Sequence, residues 1–232
     1  CNACYSKFED GQWVVYMDVA SDNANDAYPW EGWQQYGNMQ LLSPNNTGWK
    51  YNFTTITQCN WFLANIDRTP MDQTLLTRMK GEVRFIRAYE YFERSQLYGD
   101  FPLVTKMRKA EEANAVERTP KAQVVDFILN ELDTIIPALP KTYEGSDLGR
   151  ITQGAALALK ARVELFNQKY AESAESCQKV MDLGVYSLFP KEQDLGRISN
   201  EYNSEIILDR GYLETNPKLT VGLMVLAPES TP

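Results

Sequence analysis

Residues 81–105 read GEVRFIRAYEYFERSQLYGDFPLVT. Apolar side chains recur here at helical spacing: Val83 and Ile86 continue a stripe begun at Leu76 and Met79, and Phe85, Tyr89 and Phe92 make a second stripe. A helix that is apolar on two sides must pack on two sides, as in stacked helical layers. Gly99 supplies a C-terminal cap and Pro102 prevents resumption, so the pattern predicts one long helix from about Met71 to Tyr98. Arg84, Arg87 and Arg94 share the remaining surface with Glu82, Glu90 and Glu93, and Glu90–Arg94 is an i,i+4 pair in the favourable order. These charges are expected to form a solvated face or an ion-pair lattice, not tuned catalytic acids.

On the N-terminal side, Tyr51, Ile56, Cys59, Trp61, Phe62 and Ile66 space as an amphipathic helix that begins near Thr47 and ends at Asp67–Pro70. On the C-terminal side, after the charged run at 106–118, Thr119 is the expected N-cap and Pro120 the first helical residue of the next helix. Val125, Ile128, Leu132, Ile135 and Ile136 form its core stripe, and Pro137 and Pro140 end it. Thr152 then caps a helix rich in small residues, Gly154, Ala155, Ala156, Ala158 and Ala161, which permit close helix–helix approach. Its partner runs from about Tyr170 to Leu183, with Ala171, Ala174, Cys177 and Met181 expected inward and Gly184 as cap. The pair has the length of one tetratricopeptide unit of roughly 34 residues. Beyond Gly184, Tyr186, Leu188 and Phe189 read as extended, Ser204–Asp209 as a short strand, and 211–232 shows no periodicity. The expected fold is all-α: a right-handed helical array with tetratricopeptide-like units and one continuous core. Residues 1–184 form the helical region, with an aromatic-rich loop at 18–49, and 185–232 form an irregular segment.

Composition narrows the function. The 232 residues carry 23 Lys+Arg and 31 Asp+Glu, a net charge of −8, which disfavours binding to phosphate backbones. No apolar run approaches the ~20 residues of a membrane-spanning helix. The chain contains no histidine, which excludes Ser-His-Asp and Cys-His catalysis and His-ligated zinc. Cys1, Cys4, Cys59 and Cys177 are too few and scattered for a disulfide scaffold, and Cys1-x-x-Cys4 has no second CxxC to complete a zinc site. Cys59 and Cys177 read as small buried hydrophobes within helices.

All five tryptophans lie in the first 61 residues. Residues 18–36 read DVASDNANDAYPWEGWQQY, in which turn formers surround Tyr28, Trp30, Trp33 and Tyr36. Flat rings beside Asp and Asn suit a sugar: the rings stack on its apolar face, and carboxylates and amides engage its hydroxyls. Trp30 and Trp33, with Tyr28, are therefore the candidate platforms, and Asp22, Asn23 and Asp26 the hydroxyl partners. The competing reading is that Trp30 and Trp33 clamp the loop to the core. A calcium loop is disfavoured, because Ala24 occupies an alternate ligand position and the required Gly is missing.

The 81–105 segment resembles the signature of the SusD/RagB family, surface glycan-binding lipoproteins of Bacteroidetes-type bacteria. Further similar stretches are Ala20-Ser21-Asp22-Asn23, Cys59-Asn60-x-Phe62-Leu63-x-Asn65-Ile66, Gly149-Arg150-Ile151-Thr152 with the Ala155–Arg162 run, and Met181-Asp182-x-Gly184-x-Tyr186-x-Leu188. The resemblance implies a tetratricopeptide-like helical domain, no catalysis and no cofactor or metal. It also implies capture of an oligosaccharide at the outer membrane for a SusC-type TonB-dependent transporter. Family members are about twice as long, so the chain is expected to be the N-terminal half. The lipid anchor is expected upstream of Cys1, since Asn2–Tyr5 already reads as helix. Two other classes compete: a helical-repeat scaffold that binds a protein or peptide, and a carboxylate-pair glycosidase, which reducing-sugar release would reveal.

Overall fold

The computed structural model describes residues 1–6, 17–25, 33–40, 51–113, 115–195 and 197–209. The chain divides into two compact units, one of residues 1–7 and 53–209, the other of 8–52 and 210–232.

The larger unit is built on five long helices: α1 (Thr54–Asn65), α2 (Gln73–Tyr98), α3 (Lys121–Ile135), α4 (Gln153–Phe166) and α5 (Tyr170–Asp182). Each packs on its neighbour in sequence, and α2 also touches α4 and the N-terminal helical turn Asn2–Tyr5. The fold is all-α as expected, and among the described residues the only β pairing is an isolated antiparallel bridge between Phe101 and Thr119. Asp72 caps α2 by accepting from the Leu75 amide at 2.9 Å, and Thr152 caps α4 through the Ala155 amide at 3.1 Å. Gly99 and Gly184 end α2 and α5 with φ of +67°, a conformation that strains any residue with a Cβ.

Several local expectations are corrected. The first long helix begins at Thr54 rather than near Thr47, with Tyr51 exposed ahead of it. Thr119 does not cap α3; its amide and carbonyl pair with Phe101, and the Lys121 amide instead donates to Asp100 at 2.8 Å. An acceptor from across the turn has replaced the adjacent hydroxyl. Ser204–Asp209 forms turns rather than a strand. There the Asn203 side chain accepts from the Glu205 amide, a local bond that competes with strand pairing.

On α5 the inward face is the opposite of the expected one. Ser173 and Ser176 are buried, while Ala171, Ala174, Cys177 and Met181 are exposed. Ser173 donates to the Ala161 carbonyl at 2.9 Å and Ser176 to the buried Glu164 carboxylate at 2.6 Å. The small residues of α4 let α5 approach so closely that only other small side chains fit, and buried Glu164 requires a donor there.

The largest correction concerns the charges of α2. Glu82, Arg87, Glu90 and Arg94 are buried rather than solvated. Arg87 donates to Asn60 Oδ1 of α1 at 2.7 Å, to the Thr105 carbonyl at 3.1 Å and to Glu131 of α3 at 2.6 Å. Arg84 adds two bonds to the same Glu131 carboxylate, at 3.1 and 2.7 Å. Asn60 donates in turn to the Val104 carbonyl at 2.8 Å. Arg94 and Glu90 close their i,i+4 pair at 2.6 Å inside the core. The expected ion-pair lattice exists, and it is internal.

Burial acts to raise the Glu131 carboxyl, but the Arg84 hydrogen bonds and the Arg87 charge outweigh it and hold the group below the usual carboxylate range. Its contribution to stability is therefore complete above the unfolded value of about 4.3 and lost as pH falls through the lower folded value. Glu131→Gln, which leaves two guanidinium groups uncompensated, is expected to lose about 3 kcal/mol at neutral pH in urea unfolding, as removing one member of a buried pair does. The deficit should shrink below pH 4; a deficit independent of pH would show that the charge is not its source. Gly154→Ala should also destabilise, because its Cβ would collide with the Tyr186 ring and hydroxyl, and Tyr186→Ala should remove that penalty.

Candidate functional site

The smaller unit contains the aromatic–Asx segment. Residues 17–19 form a helical turn that ends where Ser21 Oγ donates to the Asp18 carbonyl at 2.7 Å and accepts from the Asn23 amide at 3.1 Å. This serine turn leaves Asp22 and Asn23 exposed. Trp33 precedes the short helix Gln34–Gly37, and its ring lies 5.4 Å from that of Tyr36 at an interplanar angle of 33°. Both rings are half-buried. Helical spacing of three residues brings the two together, and Tyr36 joins Trp33 as a ring that the sequence pattern did not assign to the site. Tyr28, Trp30 and Asp26 lie outside the described residues.

Helical spacing puts Trp61 on the α1 core stripe, but it is 58% exposed. The buried face of α1 is carried by Thr55, Ile56, Cys59, Asn60 and Phe62. Trp61 falls on the other face, with exposed Thr57, Ala64 and Arg68 and half-buried Gln58 and Asn65. Asn65 donates to the Trp61 carbonyl at 2.8 Å. The exposed indole thus stands among hydroxyl, amide and guanidinium groups, the composition sought in the 18–36 loop. The signal that could have found it is the polar content of its i±4 neighbours.

The titratable clusters have structural roles. Glu82 is fully buried, and its carboxylate accepts from Tyr5 at 2.9 Å, Arg150 at 3.0 Å, and Cys1 and Tyr143 at 3.3 Å each. Arg78 completes its shell at 3.3 Å. The Tyr5 hydroxyl also accepts from the Ile151 amide at 3.0 Å. Burial, reinforced by the Glu82 charge, pushes both the Tyr5 and Tyr143 phenols well above their usual value. Burial likewise raises Tyr91 to about 12, although the bond its oxygen accepts from the Val104 amide at 2.7 Å opposes the shift. The three phenols therefore stay protonated near neutral pH. Among the described residues, no group of three or more His, Cys, Asp or Glu side chains converges in a metal-binding arrangement.

Comparison with known proteins gives a consistent picture. A family model described as "Starch-binding associating with outer membrane", SusD-like, matches residues 4–165. SusD-like protein P25 of Formosa agariphila is 28% identical over 170 residues, 73% of this chain and 32% of its own length. The crystal structure of a SusD-like protein from Bacteroides fragilis superposes with a TM-score of 0.82 at 30% identity, covering 93% of this chain and 44% of that one. A laminarin-binding SusD-like protein superposes with a TM-score of 0.77 at 25% identity, over 84% of this chain and 45% of its own. The chain thus spans less than half the length of these relatives.

Two substitutions separate anchors from platforms. Tyr5→Phe removes a donor from Glu82 and the acceptor of the Ile151 amide, and is expected to cost roughly 1–3 kcal/mol by chemical denaturation. Trp61→Ala should change stability by no more than about 0.5 kcal/mol, as exposed substitutions do. A larger loss at Trp61 would mean that its ring packs rather than presents.

Proposed function

Because the chain belongs to the SusD-like family, we propose that it is part of a non-catalytic carbohydrate-binding protein that captures glycans at the outer membrane and passes them to a SusC-type TonB-dependent transporter. The observation that carries this reading is the pairing of exposed or half-exposed aromatic rings with short polar side chains. Trp33 and Tyr36 lie in the segment that also holds exposed Asp22 and Asn23. A sugar ring stacks on such faces while ionised acceptors orient its hydroxyls with strong bonds. Neither contact requires a titrating group. Tyr28, Trp30, Trp33, Asp22, Asn23 and Asp26 form the proposed site. A lipid anchor upstream of this chain is the proposed membrane attachment.

Starch-type and laminarin-type oligosaccharides are the first ligands to test, after the family description and the laminarin-binding relative. Trp30→Ala and Trp33→Ala should each weaken binding at least several-fold in calorimetry, with little change in thermal midpoint, and affinity should rise with oligosaccharide length. Trp61→Ala in parallel discriminates the platform: loss at Trp61 alone moves the site to α1. Reducing sugar released from either ligand would overturn the non-catalytic assignment. Failure to co-purify with a TonB-dependent transporter from the native membrane would overturn the delivery role.

A second reading, a helical-repeat scaffold for a protein or peptide, draws on the exposed apolar face of α5. Tyr170 and Met181 there are 64% and 62% exposed, and Ala174 and Cys177 lie between them.

A further inference from the structure

Of the four cysteines, Cys4 and Cys59 are buried, Cys1 is half-buried and Cys177 is exposed. A buried cysteine on its own is a small hydrophobe. These two differ because they meet. The N-terminal turn Asn2–Tyr5 packs on α1 and α2, and Cys4 and Cys59 are the cysteines buried on that turn and on α1, each thiol near enough to shift the ionisation of the other. The turn is held in this orientation from its outer side. Tyr5 is clamped between Glu82 and the Ile151 amide, and Arg150 donates to Asn2 Oδ1 at 3.2 Å. With Asn2 and Tyr5 both tied to the 150–151 segment, Cys4 is the residue of the turn left to face α1, where it is 1% exposed against a fully buried Cys59.

We propose that Cys4 and Cys59 are a disulfide-forming pair that staples the N-terminal turn to α1. Its operation in the cell rests on the proposed outer-membrane location, which puts the chain outside the reducing cytosol. The oxidant is a disulfide, carried by a thiol oxidoreductase or by oxidised glutathione. One cysteine thiolate attacks the donor disulfide and releases the first donor thiol. The second thiolate then attacks the mixed disulfide and releases the other. One S–S bond forms in the chain and one breaks in the donor; two electrons pass to the donor, and the two cysteine protons end on its two thiols. Because both sulfurs are buried, the exchange proceeds while the turn is undocked. Local opening of the Asn2–Tyr5 turn breaks its bonds to Glu82, Arg150 and Ile151, so oxidation is slow and follows that opening. The bond would close a loop holding every residue of the proposed aromatic–Asx site, so it would restrain both ends of that segment and limit the freedom of the unfolded chain.

The test uses the full chain, made in a reducing cytosol and then incubated folded with oxidised glutathione. It is unfolded without reductant, alkylated with iodoacetamide and analysed by peptide mass. Untreated chain should carry four alkyl groups. Treated chain should carry none on Cys4 and Cys59, whose peptides are joined, with Cys1 and Cys177 alkylated or capped by glutathione, and its thermal midpoint should rise by several degrees and fall back with dithiothreitol. Cys4→Ser and Cys59→Ser should each keep the same midpoint whether or not glutathione is present. Alkyl groups on Cys4 and Cys59 after treatment, or a bond within the chain that joins either of them to Cys1 or Cys177, would overturn the proposal. The same alkylation applied to protein from the native membrane separates the pairing from the location: a bond formed by glutathione but missing there supports the pair and counts against the outer-membrane location.

Discussion

Arg87 is the side chain on which the larger unit depends. Its guanidinium reaches α1 through Asn60, α3 through Glu131 and the segment after α2 through the Thr105 carbonyl. Three elements therefore share one planar donor whose geometry is fixed. Apolar packing alone would tolerate sliding of α1 or α3 along α2. A buried ion pair does not, because any shift leaves a charge unpaired in a medium that solvates it poorly. Arg84 and Asn60 complete the arrangement, and the Phe53–Phe101 stack and the edge-on Tyr91–Phe127 contact pack rings around the same segments.

Glu82 has the corresponding role nearer the start of α2. It draws the N-terminal turn through Tyr5 and Cys1, and the segment before α4 through Tyr143 and Arg150. Stretches of the chain distant in sequence meet on one carboxylate. This explains why α2 is buried along its middle despite its charges, and why its aromatic stripes account for only some of its packing.

The consequence for function is a division of chemistry. The strongest charges of the larger unit are consumed within its core, and the shifts at Glu131, Tyr5 and Tyr143 keep those groups in one protonation state near neutral pH. Outside that core, Trp61 stands among Thr57, Gln58 and Asn65, and Trp33 pairs with Tyr36 near the Asp22–Asn23 turn in sequence. The proposed glycan capture draws on these rings rather than on the buried charges.

Helix content, helix order and most helix ends were legible in the sequence, because they follow from local rules. The two stripes of α2, its Gly99 cap, the Thr152 cap and the small residues of α4 act over one or two turns. Partner choice was not legible. The apolar spacing of Ala171, Ala174, Cys177 and Met181 is as regular as that of a core stripe, yet α5 buries Ser173 and Ser176, because α4 offers it a close groove and a buried Glu164 that needs a donor. Likewise the Arg and Glu residues of α2 have the spacing of a solvated face, and only the arrival of Asn60, Glu131, Tyr5 and Arg150 from elsewhere makes their burial tolerable. Trp61 is the converse case, an apolar residue in a helical pattern that the tertiary structure leaves facing outward. Periodicity states which residues share a face. Whether that face meets protein or water is decided by what the rest of the chain brings to it, because the free energy of a charge or an indole depends on its surroundings and not on its spacing.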